Sequence, residues 1–402
     1  MWSALAVLSN RTHLTMILTL LVLTLCAAIC GRSAADSAAP SSSSQQCKAS
    51  IAGNAVKAQS MLQVSQRSTP SAQGSEVGFL NWETAKVQDE PAALGEMRAA
   101  PPCTVSNLTQ ACLPSFMVIG TQKAGTSSLF NIIRTHPRIS PAFKKELLWF
   151  NGNFERTRCD PPDAHPNDWE FAMYLDKFPK LPSNTTMLTG EFSATYMHCW
   201  CCPRAMKRLM PDLRLITQLR DPIERARSRW TEQHTWAKKM TTYDSFEDYI
   251  DMELPKLEAC LMTAEGNLQE ETHCAAKSNI LGLSLYDSVI ELWLTHFHPS
   301  NFLVTYLEQL AVSPQSVASA IHRHLGIEDL QYQDDLLHKK YNAKGNYGWK
   351  KAEGMEALQM SNTTAMTKLY QFYRPHMQQL KVLADAKYIS PLPASWIARW
   401  KL

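Results

Sequence analysis

The segment FMVIGTQKAGTSSLF, residues 116–130, brings together residue types that could hold a phosphate group. Gly120 and Gly125 have the spacing of a G-x-x-x-x-G-K-[ST] loop, yet Thr126 stands where the lysine belongs and Lys123 lies inside the loop. Glycines let such a loop turn and approach a ligand closely. Backbone N–H groups and the start of the next helix then favour an anion. Thr126, Ser127 and Ser128 add hydroxyl donors. The bland alternative is an ordinary tight turn.

A second group lies in LRDPIERARSRW, 219–230, where Arg220 precedes Asp221 and Ser228 follows eight residues after the arginine. Arginine suits two-pronged contact with phosphate. Asp221 reads as a helix N-cap with Pro222 at the first helical position and Glu224 closing a capping box. A carboxylate spent on a cap is not available to a cation, so no metal is expected. A nucleotide hydrolase would need both the post-glycine lysine and a magnesium-holding aspartate.

Three other stretches carry candidate groups. Glu146 sits in KKELLWF beside Lys144 and Lys145, with Trp149 and Phe150 placed to shield a carboxylate from water. Glu191, Ser193 and Tyr196 occupy GEFSATYMHCW. NAKGNYGWKK, 342–351, offers Lys344 and Gly345 in a flap-like loop. On residue type alone, Glu146 is an ordinary surface acid and the lysines form a solvated face.

The elements that must position these groups follow from periodicity. FMVIG (116–120), TMLTGEF (186–192), LRLITQL (213–219) and FLVTY (302–306) read as buried strands. Helical patterns follow the first and third strands, start at Ser245 and recur in SLYDSVIELWLTHF, QSVASAIHRHLGI and about 364–384, with a kink expected at Pro375. Strands alternating with helices imply an α/β fold, a central parallel sheet covered on both faces. Its ligand crevice should lie at the carboxyl ends of the strands.

The chain has 402 residues and a net charge of +3, so bulk charge points to no nucleic-acid partner. Residues 1–13 read as a cytosolic tail. The uncharged run Leu14–Cys30 reads as a transmembrane signal-anchor, with a cleaved signal peptide as the alternative. Residues 31–112, rich in Ser, Ala, Gln and Pro, read as a flexible luminal stem, and 113–402 as the folded domain. Eleven cysteines suit an oxidising lumen. Cys260 and Cys274 could staple a loop, Cys103 could meet Cys112, and Cys159 could meet Cys199, Cys201 or Cys202. Asn107, Asn184 and Asn362 head glycosylation sequons. Oligomeric state is not legible.

TQKAGTSSL resembles the 5′-phosphosulfate loop of sulfotransferases that use 3′-phosphoadenosine 5′-phosphosulfate (PAPS), and LRDPIERARSRW resembles their 3′-phosphate motif. The resemblance spans about 113–385. With anchor and stem it points to the Golgi carbohydrate branch, a single-pass type II membrane protein with a luminal catalytic domain. LYQFYRPHMQQL and KKELLWF resemble most the N-acetylgalactosamine 4-sulfate 6-O-sulfotransferases of chondroitin and dermatan, with heparan sulfate enzymes as neighbours. The resemblance implies a P-loop-like sulfotransferase fold, with PAPS as cosubstrate and a polysaccharide acceptor. It makes Lys123 the group that neutralises the leaving phosphate and Glu146 the base. Lys123, Ala124, Gly125, Thr126, Ser127, Ser128, Arg220, Ser228, Lys344 and Gly345 would bind the nucleotide. Lys145, Glu191, Ser193 and Tyr196 would line the acceptor cleft. Heparan enzymes often carry histidine two residues after this glutamate; here it is Leu148. The competing readings are a phosphate-loop kinase and a non-catalytic polysaccharide-binding protein on the same fold.

Overall fold

The computed structural model describes residues 111–151, 168–182, 184–236, 243–264, 266–339 and 364–402, together with 99, 103–106 and 109. The expected anchor (14–30), Cys159, Lys344, Gly345, Asn107 and Asn362 lie outside the described residues. Among the described residues, no helix is long and apolar enough to cross a membrane.

Among the described residues, four strands form one parallel sheet: β1 (Phe116–Gly120), β2 (Gly190–Phe192), β3 (Arg214–Leu219) and β4 (Phe302–Tyr306), in the order β2-β1-β3-β4. All four pair in parallel, as the alternation of strand and helix implies. Every residue of β1, β3 and β4 is buried, which is why these strands read as unbroken apolar runs. β2 is shorter than expected from TMLTGEF. Its lead-in leaves the sheet, and only Leu188 makes a bridge, to Ile139.

Strand alternation sends side chains to two cores. Met117, Ile119, Leu215, Leu219 and Val304 join one cluster; Phe116, Val118, Ile216 and Leu303 join the other. The helices in chain order are α1 (Thr126–Ile133), α2 (Asp168–Leu175), α3 (Cys202–Leu209), α4 (Pro222–Trp236), α5 (Phe246–Ala264) and α6 (Leu268–Lys277). They continue with α7 (Asp287–Leu294), α8 (Leu307–Val312), α9 (Pro314–Leu325), α10 (Asp334–Leu337), α11 (Thr364–Asp385) and α12 (Ala394–Trp400). Leu129, Ile132 and Ile133 of α1 and Val317, Ala318 and Ile321 of α9 cover the second core. α4 to α7, α11 and α12 cover the first. α11 runs on through Pro375. Helix α12 had no counterpart in the sequence pattern; it buries Trp396 and Trp400.

Disulfides fasten the periphery. Cys260 is bonded to Cys274, tying α5 to α6, and Cys103 to Cys112. Val105 also bridges Cys112, so the folded unit takes in the end of the segment read as stem. Cys199 is bonded to Cys202, not to Cys159, and Cys201 is disulfide-bonded as well. Those bonds consume the thiols of HCWCC. Asn184 is exposed on a turn, where a sequon can be reached.

Candidate functional site

The site forms where three neighbouring strands end. Beyond β1 the chain turns through Lys123 (φ 73) and Gly125 (φ 82), both left-handed, before α1 begins. Only glycine adopts that conformation at little cost. At Gly125 a Cβ would also lie 2.7 Å from Leu307 Cδ1 and 2.9 Å from Gln218 Nε2, so the position is closed to other residues. The Gln218 side-chain amide donates to Ala124 O, and Thr121 N–H donates to Gln218 O at 2.8 Å, which hang the loop on β3. No side chain caps α1. The positive end of the helix dipole and the backbone N–H groups at a helix start favour an anion, so the loop is suited to a phosphate.

β3 delivers the second cation. Arg220 follows the strand and donates to Lys123 O at 3.3 Å, and its guanidinium lies 3.8 Å from Glu224. Asp221 caps α4 as expected, accepting from Ile223 N at 3.1 Å and Glu224 N at 3.2 Å. The capping box is not completed, because Asp221 N–H donates to Glu308 Oε1 at 3.0 Å. Glu224 faces Arg220 and Arg399 instead. Ser228 is half-buried on α4, one turn beyond Glu224.

Three residues that sequence reasoning passed over complete this side. Arg225 is fully buried and donates to Gln122 O at 3.0 Å and Ile280 O at 2.8 Å, tying the loop to the segment before α7. Burial lowers its pKa to about 10, and its donors are spent on carbonyls. Tyr286 O–H donates to Arg220 O at 2.8 Å and fixes the end of β3. Glu232 pairs with Lys123 Nζ at 3.0 Å and with Arg229 Nη1 at 2.6 Å. The signal for Glu232 was its spacing, four residues beyond Ser228 and eight beyond Glu224, which puts all three on one stripe of α4. Burial lowers the Lys123 ammonium pKa, with Glu232 opposing it. At Glu232 burial pushes the other way, but two cationic partners outweigh it and the carboxyl falls below its ordinary value.

Glu146 stands at the end of β2, with its N–H donating to Phe192 O at 2.8 Å. One carboxylate oxygen accepts from Ala194 N–H at 2.9 Å and the other pairs with Lys145. The carboxylate's partners are thus polar. Trp149 packs on Tyr174 at 4.8 Å and Phe150 on Tyr196 at 5.5 Å, so the expected aromatic shield is engaged with other rings.

Glu191, Ser193 and Tyr196, expected to line the acceptor cleft, are fully buried. In this structure they have no exposed surface and their polar groups meet one another. Glu191 accepts from Tyr174 O–H at 2.6 Å, Ser193 O–H at 2.5 Å and Tyr196 O–H at 2.8 Å. Tyr196 in turn accepts from Trp149 N–H at 2.7 Å, and Ser193 from Leu148 N–H at 3.2 Å. The buried carboxylate thereby holds the backbone just after Glu146. Burial pushes its pKa up to about 7, against the pull of its three hydroxyl partners.

Comparisons with known proteins give the family. The family described as "Sulfotransferase domain" matches residues 113–379. The chain belongs to the sulfotransferase domain family. It is 29% identical over 308 residues to the human "Bifunctional heparan sulfate N-deacetylase/N-sulfotransferase 3", covering 71% of this chain and 31% of that protein. A mouse protein, "Bifunctional heparan sulfate N-deacetylase/N-sulfotransferase 4", is 28% identical over 300 residues with the same coverage. The sulfotransferase chain thus spans about a third of the length of these relatives. A solved sulfotransferase from Alicyclobacillus acidocaldarius aligns with 71% of this chain and 99% of its own, at 19% identity and a TM-score of 0.46.

Proposed function

We propose that this sulfotransferase moves a sulfuryl group from PAPS to a glycan, and that the Golgi lumen is where it does so. The observation that carries the reading is that Lys123, Arg220 and Glu146 each lie just beyond the end of one of three adjacent parallel strands, with Arg220 bonded to the Lys123 carbonyl. PAPS supplies an activated sulfuryl group: its sulfur–oxygen bond to the 5′-phosphate breaks with the electron pair left on phosphate, while the acceptor oxygen bonds to sulfur. Gly125, Thr126, Ser127 and Ser128 would cradle the 5′ end, and Arg220 and Ser228 the 3′-phosphate. The Lys123 ammonium neutralises charge that grows on the phosphate, so it stabilises the transition state more than the ground state. A Glu146 carboxylate oxygen takes the proton that the acceptor hydroxyl loses. Lys344 and Gly345 are assigned to the nucleotide flap by resemblance alone. No step calls for a metal.

For the acceptor we propose a glycosaminoglycan. The sequence resemblance favours the 6-hydroxyl of N-acetylgalactosamine in chondroitin or dermatan sulfate. Heparan sulfate is the second reading, favoured by the names of the relatives. The luminal placement is supported by disulfides at Cys103–Cys112, Cys199–Cys202 and Cys260–Cys274, which belong to oxidising compartments. A single-pass anchor over 14–30 remains part of the proposal.

The test is transfer from radiolabelled PAPS to chondroitin, dermatan, heparan and keratan chains, followed by disaccharide analysis. Label on the 6-position of galactosamine supports the first acceptor and label on heparan glucosamine the second. Absence of label from every chain, with the protein folded, overturns the reading in favour of a non-catalytic binder.

A further inference from the structure

Lys123 is held at both ends. Its backbone is fixed in the left-handed region at φ 73, and its ammonium lies 3.0 Å from Glu232 Oε1. The other oxygen of Glu232 is gripped by Arg229 Nη1 at 2.6 Å, and Arg229 Nε donates to Asn279 Oδ1 at 3.0 Å. The carboxylate therefore has one oxygen for orientation and one for the lysine. Arg220 and Glu224 repeat the pattern two turns earlier on the same stripe of α4, but more loosely, at 3.8 Å. Ser228 lies between the two acids.

Resting on the reading above, we propose that Glu232 is a positioning residue that holds the Lys123 ammonium beside the loop and yields it to the phosphate of the sulfuryl donor. Two physical needs meet in this arrangement. The lysine is three-quarters or more covered, with the guanidinium groups of Arg225 and Arg229 close enough to disfavour another positive charge. A neutral amine would give a leaving phosphate no charge to meet. Glu232 keeps the proton on nitrogen, and its single negative charge is a weaker partner than a phosphate that gains charge as its bond to sulfur breaks. A surface salt bridge would bring neither benefit, because it is screened by water.

The experiment has two arms. In the first, full-length protein and its Glu232→Gln and Glu232→Asp variants are labelled with trace acetic anhydride across a pH titration, and Lys123 modification is read by peptide mass spectrometry. The labelling midpoint of Lys123 should fall by about one pH unit or more in the Gln variant and by less in the Asp variant, which keeps the charge. An unchanged midpoint in Glu232→Gln, or equal shifts in Gln and Asp, overturns the proposal whatever the protein transfers. In the second arm, 3′-phosphoadenosine 5′-phosphate is added. It should bring wild type and the Gln variant to one common, higher midpoint, so the alkaline limb of kcat/KM should move down in the Gln variant while that of kcat stays with wild type. A nucleotide that binds but leaves the two midpoints apart overturns the handover. Failure of the nucleotide to bind at all counts against the PAPS reading, and the first arm still decides the pairing.

Discussion

On the loop side of the site, charge is met by charge: Lys123 and Glu232 keep about a fifth of their side-chain surface exposed, and Arg220 and Glu224 about a quarter. On the Glu146 side, the organising group is Glu191, which has no exposed surface and is met by three hydroxyls among the described residues. Both arrangements place a candidate side chain at a strand end, but they answer to different disturbances. The loop side should respond to ligand and salt. The Glu191 side should respond to changes in packing and to pH. A buried carboxylate cannot turn to water for a replacement donor, so its satisfied network holds its surroundings rigid.

The largest effects should come from the two groups that would touch the reacting atoms. Lys123→Ala should lower kcat by roughly 10²–10³, the usual consequence of removing one charge-stabilising donor. Glu146→Gln should lower it by roughly 10²–10⁴ while leaving nucleotide affinity and melting temperature near wild type. Steady-state rates with calorimetric titration of 3′-phosphoadenosine 5′-phosphate separate the two. Full turnover in Glu146→Gln would move the base to another residue.

Next is Arg220→Ala, which tests whether the loop side is chiefly a binding device. Loss of a charged hydrogen-bonding group costs about 1.5–3 kcal/mol. Nucleotide Kd should then rise about 10- to 100-fold, with kcat at saturation changed much less. An unchanged Kd would place the 3′-phosphate elsewhere.

The same contrast explains what the sequence disclosed. Strands β1, β3 and β4 were legible because both faces are buried and the residues form apolar runs. α4 was legible because Asp221-Pro222 is a local start signal, although the fate of Glu224 was not: its partners Arg220 and Arg399 and its rival Glu308 come from three parts of the chain. The loop residues lie within one short motif, so their meaning is local. The internal role of Glu191 depends on Tyr174 from α2 and on the backbone of 148–149, and nothing in GEFSATY announces it. Helix α12 is too short for periodicity to reveal, yet Trp400 Nε1 donates to Asp221 Oδ2 at 3.0 Å and braces the cap of α4.

A smaller effect should follow from Tyr174→Phe, which sharpens the contrast by touching only the Glu191 side. It removes the partner of Glu191 Oε2 and leaves the ring packing in place. Chemical denaturation should report a loss of about 1–3 kcal/mol, the cost of a buried acceptor left without its donor. Nucleotide Kd should stay within about twofold. A large change in Kd would mean that the two sides are mechanically one.

The smallest effect per pH unit is the one that separates the two sides most cleanly. Burial raises the Glu191 carboxyl from 4.5 to about 7, so between those values the folded protein holds a proton that the unfolded chain has lost. Stability falls with pH wherever the folded state binds more protons. The contribution of Glu191 should therefore decline as pH rises from about 4.5 to about 7 and stay low above that, by at most about 1.4 kcal/mol per unit. Glu308 is raised to about 7 by burial as well and adds a slope of the same sign, so wild type alone does not isolate the effect. The difference between wild type and Glu191→Gln does, because the amide cannot titrate and Glu308 is common to both. The wild-type curve should be the steeper through this window, and the two should run parallel above it. Parallel curves across the whole window would mean that Glu191 is ionised throughout, held by its three hydroxyl partners strongly enough to overcome its burial.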